Sequence, residues 1–162
     1  MAVTIRKAEP GDHPEWLRLR CALWPDCPAE EHVCEIANIM TRLAEQIVFV
    51  AVRPSGSLAG FIEIALHATA VGCETGPVGY IEGWYVDPDV RRQGIGRKLV
   101  AAAEQWSLER GCREMASDSV PDNEVGVVAH RACGFGEVER LVHFRKSLIA
   151  SLAQNVSDGS GI

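Results

Sequence analysis

Residues 78–117 narrow the choice of fold more than any other part of the chain. "VGYIEGWYVD" (78–87) is rich in aromatic and β-branched residues, the composition of a strand. The turn "PDVRRQGIG" (88–96) follows it. "GRKLVAAAEQWSLERG" (96–111) then repeats apolar residues at helical spacing, with Leu99, Ala103 and Trp106 on one face and Gly111 where a C-terminal cap belongs. "CREMASD" (112–118) reads as a short strand. Strand, helix and strand in that order predict a crossover between two parallel strands.

The turn itself carries chemistry. Four backbone N–H groups at a helix N-terminus lack an intrahelical partner, and the helix dipole favours negative charge there. Gly94 and Gly96 permit positive φ and close backbone approach to a ligand. Arg91, Arg92 and Arg97 add bidentate donors for phosphate oxygens. These are the parts of a pyrophosphate cradle. Two nucleotide motifs fit less well. The second glycine of "GIGRK" is followed by Arg97 rather than the Lys-Ser/Thr of a Walker A loop, and "GIGRKL" lacks the third glycine of a dinucleotide fingerprint. A glycine pair by itself also fits a plain tight turn.

Periodicity supplies the remaining elements. "VTIRKA" (3–8) alternates as a strand. A helix follows Asp12 and Pro14, and a second runs from about Ala29 to Ala44. "QIVFVAVR", "PSGS" and "LAGFIEIALHA" predict a hairpin over 46–68. "DNEVGVVAHRACGF" (122–135) reads as a helix stopped by Gly134, and "EVERLVHFRKSL" (137–148) as a last strand. The order is β-α-α-β-β-β-α-β-α-β: an α/β fold of α+β type, a mixed sheet flanked by helices with the parallel pair at its centre. Residues 1–149 make one domain, and the small polar residues of 150–162 predict a flexible tail.

Charge and cysteine content exclude several classes. A net charge of −6, from 22 acidic and 16 basic residues, argues against nucleic-acid binding and suits a cationic substrate. No apolar run has the length of a membrane span, and the N-terminus lacks the apolar core of a signal peptide, so a cytoplasmic protein is expected. Cys21, Cys27, Cys34, Cys73, Cys112 and Cys133 include no C-x-x-C pair and no zinc spacing. They are expected to be reduced, buried thiols, with no metal.

Taken whole, "VRRQGIG" resembles the Arg/Gln-x-x-Gly-x-Gly/Ala motif of the GNAT acyl-CoA N-acetyltransferases, led by Arg91 or Arg92 and set, as in that family, between a "YV" strand and an amphipathic helix. "AHRACGF" is similar to the GNAT helix that ends in a Gly-Phe pair. "LRCALWPD", "ETGPVGYIEGWYV", "MASDSVPDN" and "HRACGFGEVERLVHF" narrow the likeness to aminoglycoside 6'-N-acetyltransferases, the dimeric subgroup of resistance enzymes. The resemblance spans nearly the whole chain. It implies a GNAT fold, acetyl-CoA as co-substrate, direct transfer in a ternary complex to the 6'-amine of an aminoglycoside, and a homodimer. The rival expectations are another amine (a protein N-terminus, a lysine or a polyamine) and a non-catalytic acyl-CoA sensor.

Acetyl transfer needs a neutral amine, so a carboxylate or a water held by one is required. Glu82, within an apolar and aromatic run, and Asp118, at the C-terminal end of the strand after the cofactor helix, are the candidate catalytic and substrate-binding carboxylates. By alternation Glu82 also fits a solvent-facing position, and Asp118 also fits a cap. The resemblance adds Trp24 and Glu139 as substrate contacts, Glu139 acting across the dimer. It implies cofactor contacts from Trp84, Tyr85, Val86, Arg91, Arg92, Gln93, Gly94, Ile95, Gly96, Arg97 and Asn123, with a backbone N–H of the strand as oxyanion donor. Asn123 also fits a helix N-cap. There are two departures from the family pattern. His130 stands where many GNAT enzymes carry a tyrosine acid, leaving His130, water or no acid at all. "HATAVG" lacks the aromatic residue that relatives have near Thr69.

Overall fold

Apolar runs that continue through both faces of a strand belong in a sheet covered on both sides, and the central strands here are of that kind. In the computed structural model, which describes residues 3–148, β2 (Gln46–Val52) and β3 (Leu58–His67) are buried almost throughout. With β1 (Thr4–Lys7), β4 (Val78–Val86) and β5 (Met115–Ser117) they form one sheet in the order β1-β2-β3-β4-β5. The first four strands are antiparallel, and β4 and β5 are parallel. The sheet is thus mixed, as expected. Its parallel pair lies at one edge rather than at the centre, because β2 and β3 pair as a hairpin and fill the middle.

Two helical layers cover the sheet. α1 (His13–Leu23) and α2 (Ala29–Thr41) close one face, where Trp16, Leu19 and Ile36 meet Val48, Val50, Leu58 and Phe61. α3 (Ile95–Glu109) closes the other, where Leu99, Val100, Ala103 and Trp106 meet Ile47, Phe49, Ile62, Ile64 and Ile81. α4 (Glu124–Ala132) follows β5. Gly111 at φ 82° and Gly134 at φ 89° lie just past the ends of α3 and α4, as their sequence positions predict. α2 stops at Thr41, short of the expected Ala44.

The last expected strand does not form. Residues 137–148 carry no strand pairing in the single chain. A strand requires a neighbouring edge, and none is engaged here, so Val138, Leu141, Val142, Phe144 and Leu148 stand in water. The cysteines are free thiols, but among the described residues only Cys112 is buried, while Cys34 is exposed and the others are half-buried. No helix among the described residues is long and apolar enough to cross a membrane, and no group of His, Cys, Asp and Glu there has the makings of a metal site. The expected tail, 150–162, lies outside the described residues.

Candidate active site

A mismatch in strand length opens the site. β4 is nine residues long and β5 three, and their ladder pairs only Gly79, Tyr80 and Ile81 with Met115, Ala116 and Ser117. Glu82 to Val86 therefore extend past the end of β5 with no strand beside them on that side. A ligand backbone laid along them meets main-chain groups that β5 does not use.

The glycine turn lies at the end of this unpaired stretch. Asp87, buried, receives Arg18 at 3.0 Å and Arg53 at 3.2 Å, which anchors the chain as it leaves β4. A turn of 3-10 helix (Pro88–Val90) follows, then Arg92 at φ 62° and Gly94 at φ 80°, the residue that opens α3. α1, α2 and α4 each have an acidic residue in their first turn. α3 has none, no side chain caps it, and Arg97 and Lys98 lie in that turn. Its free N–H groups and positive end want an anion that the protein does not supply. A Cβ on Gly94 would meet nothing within 4 Å, so the approach is open.

The three arginines divide their duties. Arg91 donates through Nε to the Val86 carbonyl at 2.8 Å and lies over the Tyr85 ring. Arg97 donates to the Ala132 carbonyl at 3.2 Å, tying α3 to the end of α4. Arg92 makes no such bond among the described residues and remains available. Gly96 serves packing: a Cβ there would lie 2.9 Å from the Trp84 ring. The Trp84 indole N–H is buried without a partner, and its ring meets His130 edge-on at 5.3 Å. The uncapped helix, the open Gly94, the free Arg92 and the unpaired half of β4 fit a pyrophosphate with an extended arm, as coenzyme A carries.

The acidic wall stands on the face covered by α1 and α2. In the β3–β4 ladder Glu63 pairs with Gly83 and Ile64 with Ile81, so Glu82 is an extra, bulged residue. The bulge answers the ambiguity left by simple alternation: Glu82 is exposed, with its Oε1 2.5 Å from His67 Nε2. Asp118, just past β5, accepts from the Tyr80 hydroxyl at 3.0 Å. The His67 and Tyr80 rings stack at 4.4 Å and 9°. The structure thus brings Glu82 and Asp118 together through two residues that sequence reasoning missed. "GYIEG" and "IALHA" hold no local sign of the contact, which depends on strand register.

Trp24, at the C-terminal end of α1, rests against Gly83, where a Cβ would come within 2.5 Å of the indole. His32 stacks on its ring at 6.0 Å and the Arg20 guanidinium lies over it at 4.8 Å. Beneath lies a buried charge cluster also missed in the sequence. Glu63 accepts from Arg20 at 2.6 Å and from the Trp16 indole at 2.8 Å, and Arg20 also contacts Glu35. Burial pushes the Glu63 carboxyl above its ordinary range, with Arg20 opposing. A glutamate in a buried apolar strand was the available signal.

Asn123 caps α4, accepting from the Gly126 N–H at 3.0 Å and donating to Ser119. His130 Nδ1 donates to the Gly126 carbonyl at 2.7 Å, and its Nε2 lies 2.8 Å from the Ser117 hydroxyl. His130 therefore sits in the gap between β4 and β5 with both nitrogens engaged. Glu139 is exposed in the unpaired 137–148 segment, and the single chain does not carry it to the other carboxylates through any hydrogen bond or ion pair among the described residues.

The family model described as acetyltransferase (GNAT) family matches residues 12–135. Over 150 residues, 91% of this chain and 95% of the relative, the sequence is 46% identical to an aminoglycoside N(6')-acetyltransferase type 1 of Stenotrophomonas maltophilia. It is 44% identical to a protein of the same description from Klebsiella aerogenes, over 89% of this chain and 96% of that one. Among solved structures, AAC(6')-Iy in complex with the bisubstrate analogue CoA-S-monomethyl-acetylneamine superposes with a TM-score of 0.83 at 34% identity, covering 91% of this chain and 99% of that one. AAC(6')-Ih from Acinetobacter baumannii gives 0.82 at 34%, again over 91% and 99%.

Proposed function

The chain belongs to the GNAT family of acetyltransferases, and we infer from that membership and from the cleft that it acetylates the 6'-amino group of aminoglycoside antibiotics. It is an aminoglycoside 6'-N-acetyltransferase that uses acetyl-CoA and confers resistance. The observation that carries the inference is that β4 both leads into an uncapped, cationic helix end and bears an acidic wall. The first suits an anionic donor and the second a polycationic acceptor.

The placement of individual residues supports the following roles. Acetyl-CoA supplies the activated acetyl group. Gln93, Gly94, Ile95, Gly96 and Arg97 present the helix end to its pyrophosphate, with Arg91 holding the turn and Arg92 reaching the phosphates. Trp84, Tyr85 and Val86 offer main-chain groups to the pantetheine arm and an N–H to the developing oxyanion. Asn123 sets the loop before α4 and reaches the donor from that side. Glu82 and Asp118 bind substrate ammonium groups, and Glu82 takes the proton from the 6'-amine directly or through one water. Trp24 covers the sugar. His130, with both nitrogens engaged, holds the β4–β5 gap open.

We further propose one acetyltransferase domain over residues 1–149, working in the cytoplasm as a homodimer. The exposed apolar side chains of 137–148 support the dimer; in it Glu139, exposed on that segment, would reach the partner's acidic wall. A CoA-release assay across amine classes tests the function. Kanamycin A should turn over, while spermidine, a lysine peptide and a kanamycin analogue with hydroxyl at the 6' position should not. Equal turnover of the hydroxyl analogue would move the reaction to another amine.

A further inference from the structure

Glu82 and Asp118 are both exposed, and a free carboxylate in water samples several rotamers. Neither is free here. Glu82 is held through Oε1 by His67, the last residue of β3, and Asp118 through Oδ1 by Tyr80 of β4. The holders are joined to each other, since their rings stack nearly parallel. The result is one continuous chain of contacts, Glu82, His67, Tyr80, Asp118, spanning the β3–β4 hairpin and the end of β5. No other partner among the described residues takes Glu82 Oε2 or Asp118 Oδ2.

We propose that His67 and Tyr80 are positioning residues for the aminoglycoside: the stacked pair fixes the spacing of two carboxylates and leaves one oxygen of each for an ammonium group. The proposal rests on the reading of Glu82 and Asp118 as substrate ligands. A carboxylate only accepts, so His67 donates through Nε2–H and Tyr80 through its hydroxyl. The phenol is pushed up to about 12, by burial first and then by its bond to Asp118, so it remains a donor across the working range.

Steady-state kinetics with kanamycin A and acetyl-CoA test the pair. At pH 7.5, His67→Ala and Tyr80→Phe should each raise the kanamycin KM about 3- to 10-fold, the range expected for one lost hydrogen bond, with the acetyl-CoA KM unmoved. His67→Gln places a neutral amide donor near the position of Nε2 and should recover most of the loss. In a Glu82→Gln background, His67→Ala should add little. An unchanged kanamycin KM in His67→Ala and Tyr80→Phe beside a raised one in Glu82→Gln overturns the positioning pair and leaves the acidic wall standing. An unchanged KM in Glu82→Gln overturns both. A parallel rise in both substrates' KM values overturns the pair by marking general damage to the fold.

Discussion

Gly83 decides whether Trp24 can lie on the sheet. A methyl group there would come 2.5 Å from the indole, and the ring has little room to retreat between Arg20 and His32. Gly83→Ala should cost about 1–3 kcal/mol of stability from overpacking. It should also raise the kanamycin KM with little change for acetyl-CoA. Thermal denaturation alongside kinetics checks both, and an unaltered KM would detach Trp24 from the substrate. Asp118→Asn keeps shape and deletes charge. The loss of one charge-assisted hydrogen bond should remove about 1.5–3 kcal/mol from kcat/KM for the aminoglycoside. Saturation by acetyl-CoA should be unaffected, and a matching loss there would place Asp118 on the donor side instead.

At the scale of elements, the N-terminus of α3 separates the arginines by function. Arg92→Ala should weaken acetyl-CoA binding by about 1.5–3 kcal/mol in calorimetry while leaving the melting temperature nearly unchanged, because the guanidinium bonds no other group among the described residues. Arg97→Ala should lower both, since Arg97 also joins α3 to α4. Equal affinity in the Arg92 variant would remove that residue from the phosphate site. This crossover was readable from residues 78–117 because strand composition, helical period, glycine turn and capping glycine are all local signals. What escaped were contacts set by register and pairing. The bulge at Glu82 is a property of two strands, and strand register sets His67 and Tyr80 between the carboxylates. Arg20 and Glu63 lie 43 residues apart, and only the packing of α1 on β3 joins them. The 137–148 stretch has the composition of a strand, yet composition does not say which edge will receive it.

For the whole molecule, that stretch is the unfinished part. Each large apolar side chain it holds in water would contribute about 1.5–3 kcal/mol if fully buried, so a second chain has much to gain by covering it. Light scattering should therefore report a dimer, and Glu139→Gln should weaken aminoglycoside binding while acetyl-CoA binding stays intact. A monomer that acetylates kanamycin at full rate would end the idea of a shared site. The short β5 has a different kind of consequence, one that concerns adaptation. By stopping at Ser117 it leaves β4 main chain for the pantetheine arm proposed above, and every amino acid but proline carries the same main-chain donor and acceptor. The contacts proposed for the antibiotic, by contrast, are side chains, those of Trp24, Glu82 and Asp118. Under drug selection such an enzyme can exchange those residues and drift from one antibiotic toward another, while its hold on the metabolite that powers it passes unchanged to each descendant.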